Sequence, residues 1–119
     1  MSVATLQRYA RTGGWILAVL VVIASLLPGE WRQHTPFNGL VEHFIAYAIF
    51  AFVLELGYGA RVPRGTFATL LVVAAALLET AQIWVPGRHA AVFDFLASAT
   101  GALAGIGLAW IPLMWVKRS

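Results

Sequence analysis

The chain contains no cysteine and has little charge, with eight Lys/Arg and five Asp/Glu among its 119 residues. The absence of cysteine excludes disulfides, thiolate metal sites and cysteine nucleophiles. The shortage of charge excludes an ordinary soluble domain, because such a domain is about 25% charged in order to meet water. Apolar residues take the place of charge: 61% of the chain is hydrophobic and its mean hydropathy is +0.81. The expected surroundings are therefore a lipid bilayer.

Four apolar segments follow one another, separated by Gly, Pro and charged residues. Each approaches the ~20 residues that cross a hydrocarbon core, and none shows the alternation of a membrane β-strand. The first segment resembles a signal peptide, but no small-x-small cleavage site follows it, so we expect it to be retained. The sequence predicts an all-α membrane protein, a compact antiparallel bundle of four transmembrane helices, as one domain over residues 1–119. The predicted helices cover approximately 12–28, 40–59, 66–85 and 90–116.

The basic residues predict how this bundle is oriented. Cytoplasmic connections carry an excess of Lys and Arg, so the side with more of them is expected to face the cytoplasm. This places the N and C termini in the cytoplasm, and it also explains the net charge of +3 without any role for nucleic acid. The inner side then holds Arg8, Arg11, Arg61, Arg64, Lys117 and Arg118, and the outer side holds Arg32 and Arg88.

Several polar side chains lie near the predicted outer ends of the helices. A charged residue at the centre of a spanning helix costs roughly 2.5 to 3.5 kcal/mol, so each such residue suggests a function. Because residues three or four apart share a helix face, neighbouring members of the set align in pairs. We expect them to meet in one outward-facing pocket. Its predicted members are Glu42, His43 and Tyr47 on the second helix, Glu79 and Gln82 on the third, and Asp94 on the fourth.

The fourth helix carries Asp94 at the head of a stripe that continues through Ser98, Gly101 and Gly105. Small residues let helix backbones approach closely, so the stripe is expected to face the bundle interior and to bring Asp94 with it. Arg88, in the turn before this helix, can hold a phosphate or carboxylate in two hydrogen bonds. The alternative is that Arg88 neutralises Glu79 or Asp94, or touches lipid phosphates without specificity.

The order of these residues resembles the VanZ-like family of small bacterial membrane proteins, named for a teicoplanin-resistance protein. The resemblance covers about residues 28–105. It implies a multi-pass protein of the bacterial cytoplasmic membrane with a role in the cell envelope, including glycopeptide tolerance. The chain departs from the family pattern at Gly39 and Leu40, where an Asp-Lys pair is common, and at Ser98, where Asn is common. The matching residues are Glu42, His43, Phe44 and Tyr47, then Glu79 and Gln82, then Pro86, Gly87 and Arg88, and finally Asp94 and Gly101.

Two classes of function fit this pattern, and the sequence leaves open whether the protein is an enzyme. As an enzyme it would act on a lipid-linked or phosphate-bearing envelope substrate, with His43, Glu79 and Asp94 as acid/base candidates. The substrate-binding candidates are then Arg88, Tyr47, Gln82 and Glu42. As a non-catalytic protein it would bind a lipid or another ligand, or serve as an accessory subunit of an envelope complex.

The sequence gives weaker indications of metals, cofactors and partners than of the pocket. A metal site at His43, Glu79 and Asp94, with His89, is a third alternative, but the chain has no HExxH or similar spacing. We therefore predict neither a metal nor a cofactor. The predicted partners are membrane lipids, the anionic substrate, and either a second copy of the chain, for which Gly101 and Gly105 offer a packing surface, or a subunit of an envelope complex.

Overall fold

The computed structural model describes residues 2–27, 39–59, 61–87 and 92–118, and over those residues the chain is helical with no strand. The first helix, α1, covers Val3–Leu26, and α2 covers Gly39–Tyr58. The third helix, α3, covers Arg64–Ala81 and continues into a 3-10 turn at Gln82–Trp84. The last helix, α4, covers Val92–Arg118.

Four helices are long and apolar enough to cross a membrane, namely Val3–Leu26, Gly39–Tyr58, Arg64–Trp84 and Val92–Met114. The bundle measures 49 × 25 × 24 Å, which matches the roughly 40–45 Å of a bilayer with its head-group regions. Large apolar side chains are exposed along the helices, as expected where the solvent is lipid. The predicted all-helical, multi-pass membrane protein is therefore confirmed at this level.

The first helix is longer than the apolar run that predicted it. It begins at Val3 rather than near residue 12, because the Ser2 side chain caps it by accepting from the Thr5 backbone N–H at 3.1 Å. Hydropathy marks only the part of a helix that lies in hydrocarbon, whereas helix propensity and capping decide where the helix itself begins. The predicted end at residue 28 lies outside the described residues.

The second helix is the centre of the bundle, since α1 and α4 both pack closely against it through glycines. On α1, a Cβ added at Gly14 would collide with Leu54. On α4, Cβ atoms at Gly101 and Gly105 would collide with the carbonyl oxygens of Phe44 and Ala48 on α2. The predicted stripe of small residues on α4 does face the interior, and it sets the approach of α4 to α2.

The end of the bundle where α2 finishes and α3 begins is closed by polar and aromatic contacts. The Arg11 guanidinium donates to the Gly57 carbonyl oxygen at 3.0 Å, and the Trp15 indole N–H donates to the Tyr58 hydroxyl at 2.7 Å. The Arg64 guanidinium lies 4.1 Å from the centre of the Trp110 ring. Glu55, which its sequence position near Tyr58 suggests as an interfacial carboxylate, is instead 1% exposed and buried in the bundle.

Candidate functional site

Three of the predicted site residues meet at the opposite end of the bundle. His43 lies in the first turns of α2, Glu79 in the last turn of α3 and Asp94 in the first turn of α4. One imidazole nitrogen of His43 and one carboxylate oxygen from each of the other two lie within 4.8 Å of one another. We call these three side chains the His-Glu-Asp cluster. Its members come from three helices and are far apart in sequence, so only the packing of the bundle brings them together.

The His43 ring is held by its own helix. Its Nδ1 atom lies 2.7 Å from the carbonyl oxygen of Gly39, one turn earlier. A carbonyl oxygen can only accept, so Nδ1 carries the proton and donates it. The Gly39 carbonyl thereby fixes the ring orientation and leaves Nε2 as the nitrogen that can act on another molecule. Gly39 was not a predicted site residue, although its position four residues before a histidine at a helix start is the sequence signal for this contact.

Tyr47 lies one turn deeper on α2 than His43 and is 4% exposed. Its ring packs edge to face on Phe50, with the ring centres 5.1 Å apart, and the phenol is close enough to Glu79 to interact with its charge. Tyr47 therefore closes the interior side of the His-Glu-Asp cluster. Glu42 is half-buried in the first turn of α2, but it is not among the three residues whose ligand atoms converge.

Gln82 is 3% exposed and lies in the 3-10 turn after α3. Its side-chain nitrogen donates to the Ser25 carbonyl oxygen at 2.9 Å. That carbonyl belongs to the last turn of α1. Gln82 therefore ties α3 to α1 beside the site, a contact that the sequence did not indicate, and its role in positioning a ligand stays a prediction.

The turn that leads from α3 toward α4 requires glycine. Gly87 has a φ of 75°, which side-chain-bearing residues rarely adopt. Proline at position 86 followed by glycine is typical of a turn with positive φ at its third residue. Arg88 and His89, the next two residues, lie outside the described residues, so the predicted anion-binding role of Arg88 stays a prediction.

Helix polarity distributes charge unevenly over the His-Glu-Asp cluster. Asp94 lies at the N-terminal end of α4, where the helix dipole and unpaired backbone N–H groups favour an anion. Glu79 lies near the C-terminal end of α3, where the dipole favours a cation. The cluster can therefore hold a proton shared between groups or a positively charged ligand beside Glu79.

The contact between α2 and α4, which we call the α2–α4 seam, encloses a hydroxyl that lies close to the cluster in sequence. Ser98, one turn after Asp94, is 3% exposed and lies on the stripe that packs on α2. A hydroxyl enclosed between two helices cannot meet a substrate at the end of the bundle. Any group transferred at the cluster would have to be accepted by one of its own side chains, by water or by a second substrate.

Comparisons of the chain with protein-family models, with curated proteins and with solved structures find no match.

Proposed function

We propose that the protein is a VanZ-like membrane protein of the bacterial cytoplasmic membrane whose polar pocket opens on the outer face and acts on a lipid-linked or phosphate-bearing envelope component. The observation that supports it best is the convergence of His43, Glu79 and Asp94 at one end of the bundle. Polar groups of this kind are costly in a membrane and persist there chiefly where they serve a function. The order of residues that resembles the VanZ-like family supports the envelope role.

The chemistry available to the pocket is proton transfer. With Nδ1 bonded to Gly39, His43 Nε2 can take a proton from water or a substrate hydroxyl. Glu79 and Asp94 would then stabilise the resulting imidazolium, and helix polarity makes their environments differ, as acid/base work requires. Arg88, directly after Pro86 and Gly87, would hold the anionic head group.

The outward orientation rests on the positive-inside count. Six of the eight basic residues fall on the side with the two termini, and the His-Glu-Asp cluster lies at the other end. In this orientation the pocket meets the outer leaflet, where lipid-linked envelope precursors are used. His43, Glu79 and Asp94 lie in the end turns of their helices, so we place them near the lipid head groups.

The test is an envelope phenotype, such as glycopeptide susceptibility of a bacterial host that expresses the protein. Glu79→Gln removes a proton acceptor with almost no change in volume, and we expect it to abolish the phenotype while the protein accumulates and stays monodisperse in detergent. Thr80→Ala is the matched control, because Thr80 is exposed and its hydroxyl bonds only the Ala76 carbonyl of its own helix. Full function of Glu79→Gln would contradict the acid/base proposal.

The second candidate is ligand binding without catalysis, which the enclosed Ser98 hydroxyl favours because this hydroxyl cannot serve the pocket as a nucleophile. Native mass spectrometry of the solubilised protein would distinguish the two. A retained phosphate-bearing lipid that is lost in Arg88→Ala, combined with a wild-type phenotype in Glu79→Gln, supports binding alone. A protein that retains no lipid counts against it.

A further inference from the structure

The donor set of the His-Glu-Asp cluster is one that metal ions use. It combines one imidazole nitrogen with two carboxylate oxygens, each from a different helix. Three protein ligands with a further position open to water or substrate is the arrangement of catalytic zinc sites. We infer that His43, Glu79 and Asp94 form a binding site for a divalent transition-metal ion.

The distances suit an ion after a small adjustment of side chains. Two donors on a tetrahedral zinc ion, each about 2.0–2.2 Å from the metal, lie about 3.4 Å apart. The three ligand atoms lie within 4.8 Å of one another, so closing the site requires movements of about an ångström at the ends of rotatable side chains. None of the three helices has to move.

The support of His43 is an independent observation that points to a ligand. A histidine that binds metal through one nitrogen almost always donates the other N–H to a carbonyl, a carboxylate or water, which fixes its tautomer. The bond from Nδ1 to the Gly39 carbonyl has this form, and it leaves Nε2 as the nitrogen that can bind a metal. The partner is backbone, so the orientation is built into the start of α2.

Charge and ligand chemistry select the kind of ion. Two carboxylates and a neutral imidazole carry two negative charges, which a divalent cation neutralises, and the C-terminal end of α3 favours a cation beside Glu79. The imidazole favours zinc, iron, nickel or copper, whereas carboxylates suit magnesium, calcium or manganese. Zinc accepts both imidazole nitrogen and Asp or Glu oxygen and is the ion we expect.

This inference deepens the proposed function, and it rests on that proposal only for what would occupy the open coordination position. Metal binding itself is measurable without a substrate. The experiment uses the full-length, tag-free protein in detergent, depleted of metal with a chelator and titrated with Zn²⁺, Mn²⁺ and Mg²⁺ by calorimetry. We expect Zn²⁺ to saturate at about one ion per chain, with Mn²⁺ weaker and Mg²⁺ weakest.

The variants His43→Asn, Glu79→Gln and Asp94→Asn should each weaken Zn²⁺ binding by more than the roughly 10- to 100-fold that loss of a supporting residue costs. Thr80→Ala is the control, because Thr80 follows Glu79 on α3 but is exposed, with its hydroxyl bonded to the Ala76 carbonyl of its own helix. We expect it to bind Zn²⁺ within a few-fold of the wild type. Equal loss in the control would show a general effect of substitution at this end of the bundle and overturn the site.

A measurement on the wild-type protein tests the inference even if the variants fail to fold. X-ray absorption of the zinc-loaded protein should show only nitrogen and oxygen neighbours at about 2.0–2.2 Å, including one imidazole. A spectrum with two or more imidazoles, or no saturable binding, would overturn the inference. Absent metal binding together with the Glu79→Gln phenotype would leave the acid/base pocket standing, whereas zinc binding with no Glu79→Gln phenotype would contradict the proposed function and leave the metal site standing.

Discussion

The Nδ1 atom of His43 donates to the carbonyl oxygen of Gly39 at 2.7 Å, across the first turn of α2. This one bond assigns separate tasks to the two ring nitrogens. Nδ1 anchors the side chain to its own helix, and Nε2 is left to act on another group. The two tasks can be separated by substitution.

His43→Asn is predicted to fold normally but to lose function and zinc binding. An asparagine amide can supply a donor near the Nδ1 position, but it is too short to place an atom where Nε2 lies. Its melting temperature should therefore stay near that of the wild type, because the side-chain amide can keep the bond to the Gly39 carbonyl. Thermal unfolding in detergent, run beside the phenotype assay, checks both parts. A variant that unfolds early would assign His43 a structural role instead.

Gly105→Ala is predicted to destabilise the bundle, whereas Gly107→Ala is not. A methyl group at Gly105 meets the backbone of α2 at Ala48 and Phe52, while one at Gly107 meets nothing within 4 Å. Forcing an extra carbon into a packed seam costs about 1–3 kcal/mol. In an exposed helix position the same change gains up to about 1 kcal/mol of helix propensity. Equal melting temperatures for the two variants would contradict the close packing of α4 on α2.

Gln82→Met is predicted to lower the free energy of unfolding by about 0.5–1.5 kcal/mol, because the hydrogen bond from the Gln82 amide to the Ser25 carbonyl is lost. Methionine keeps the length and shape of the side chain, so the lost hydrogen bond is isolated from a loss of packing. Thr80→Ala, two residues earlier, should change stability by less than about 0.5 kcal/mol. Chemical denaturation of both variants in the same detergent makes the comparison, and a larger loss in Thr80→Ala would contradict the role given to Gln82.

The lack of cysteine makes the orientation directly measurable. Single cysteines at Ser2 and Gly65 are predicted to resist a membrane-impermeant maleimide added to intact cells and to react after the membrane is opened. One at Pro86 is predicted to react in intact cells. Gly65 and Pro86 are both exposed, and a side chain at Gly65 meets nothing within 4 Å. Labelling of position 65 but not 86 in intact cells would reverse the orientation and move the pocket to the cytoplasmic side.

The limits of prediction are clearest for the metal site. The sequence identified His43, Glu79 and Asp94 as pocket residues because polar groups near the ends of apolar spans are few and costly. It did not favour a metal, because a sequence pattern such as HExxH reveals only ligands that share one helix. Here the ligands come from three helices, and no spacing along the chain reports the distance between them.

Glu55 and Gln82 show the same limit from the other side. Both residues are polar and lie near helix ends. From the sequence, Glu55 is expected at the membrane interface and Gln82 in the pocket. In the structure Glu55 is 1% exposed, and the Gln82 amide donates a hydrogen bond to a carbonyl of α1. The burial and contacts of such a side chain depend on how its helix is rotated about its axis. When a helix is apolar on nearly every side, its own sequence gives little indication of that rotation.

The sequence by itself determined the class of the protein, since so apolar a chain must be solvated by lipid, and each backbone group in lipid must be paired within a helix. It also predicted the number of spans, and it identified the few polar side chains whose cost in a membrane suggests a function. The sequence also predicted that His43, Glu79 and Asp94 meet in one pocket, but only the tertiary structure decided that one ligand atom from each lies within 4.8 Å of the others. That decision follows from the small residues of the α2–α4 seam, because a close approach of two backbones at Gly101 and Gly105 fixes both the depth and the rotation of the helix that carries Asp94.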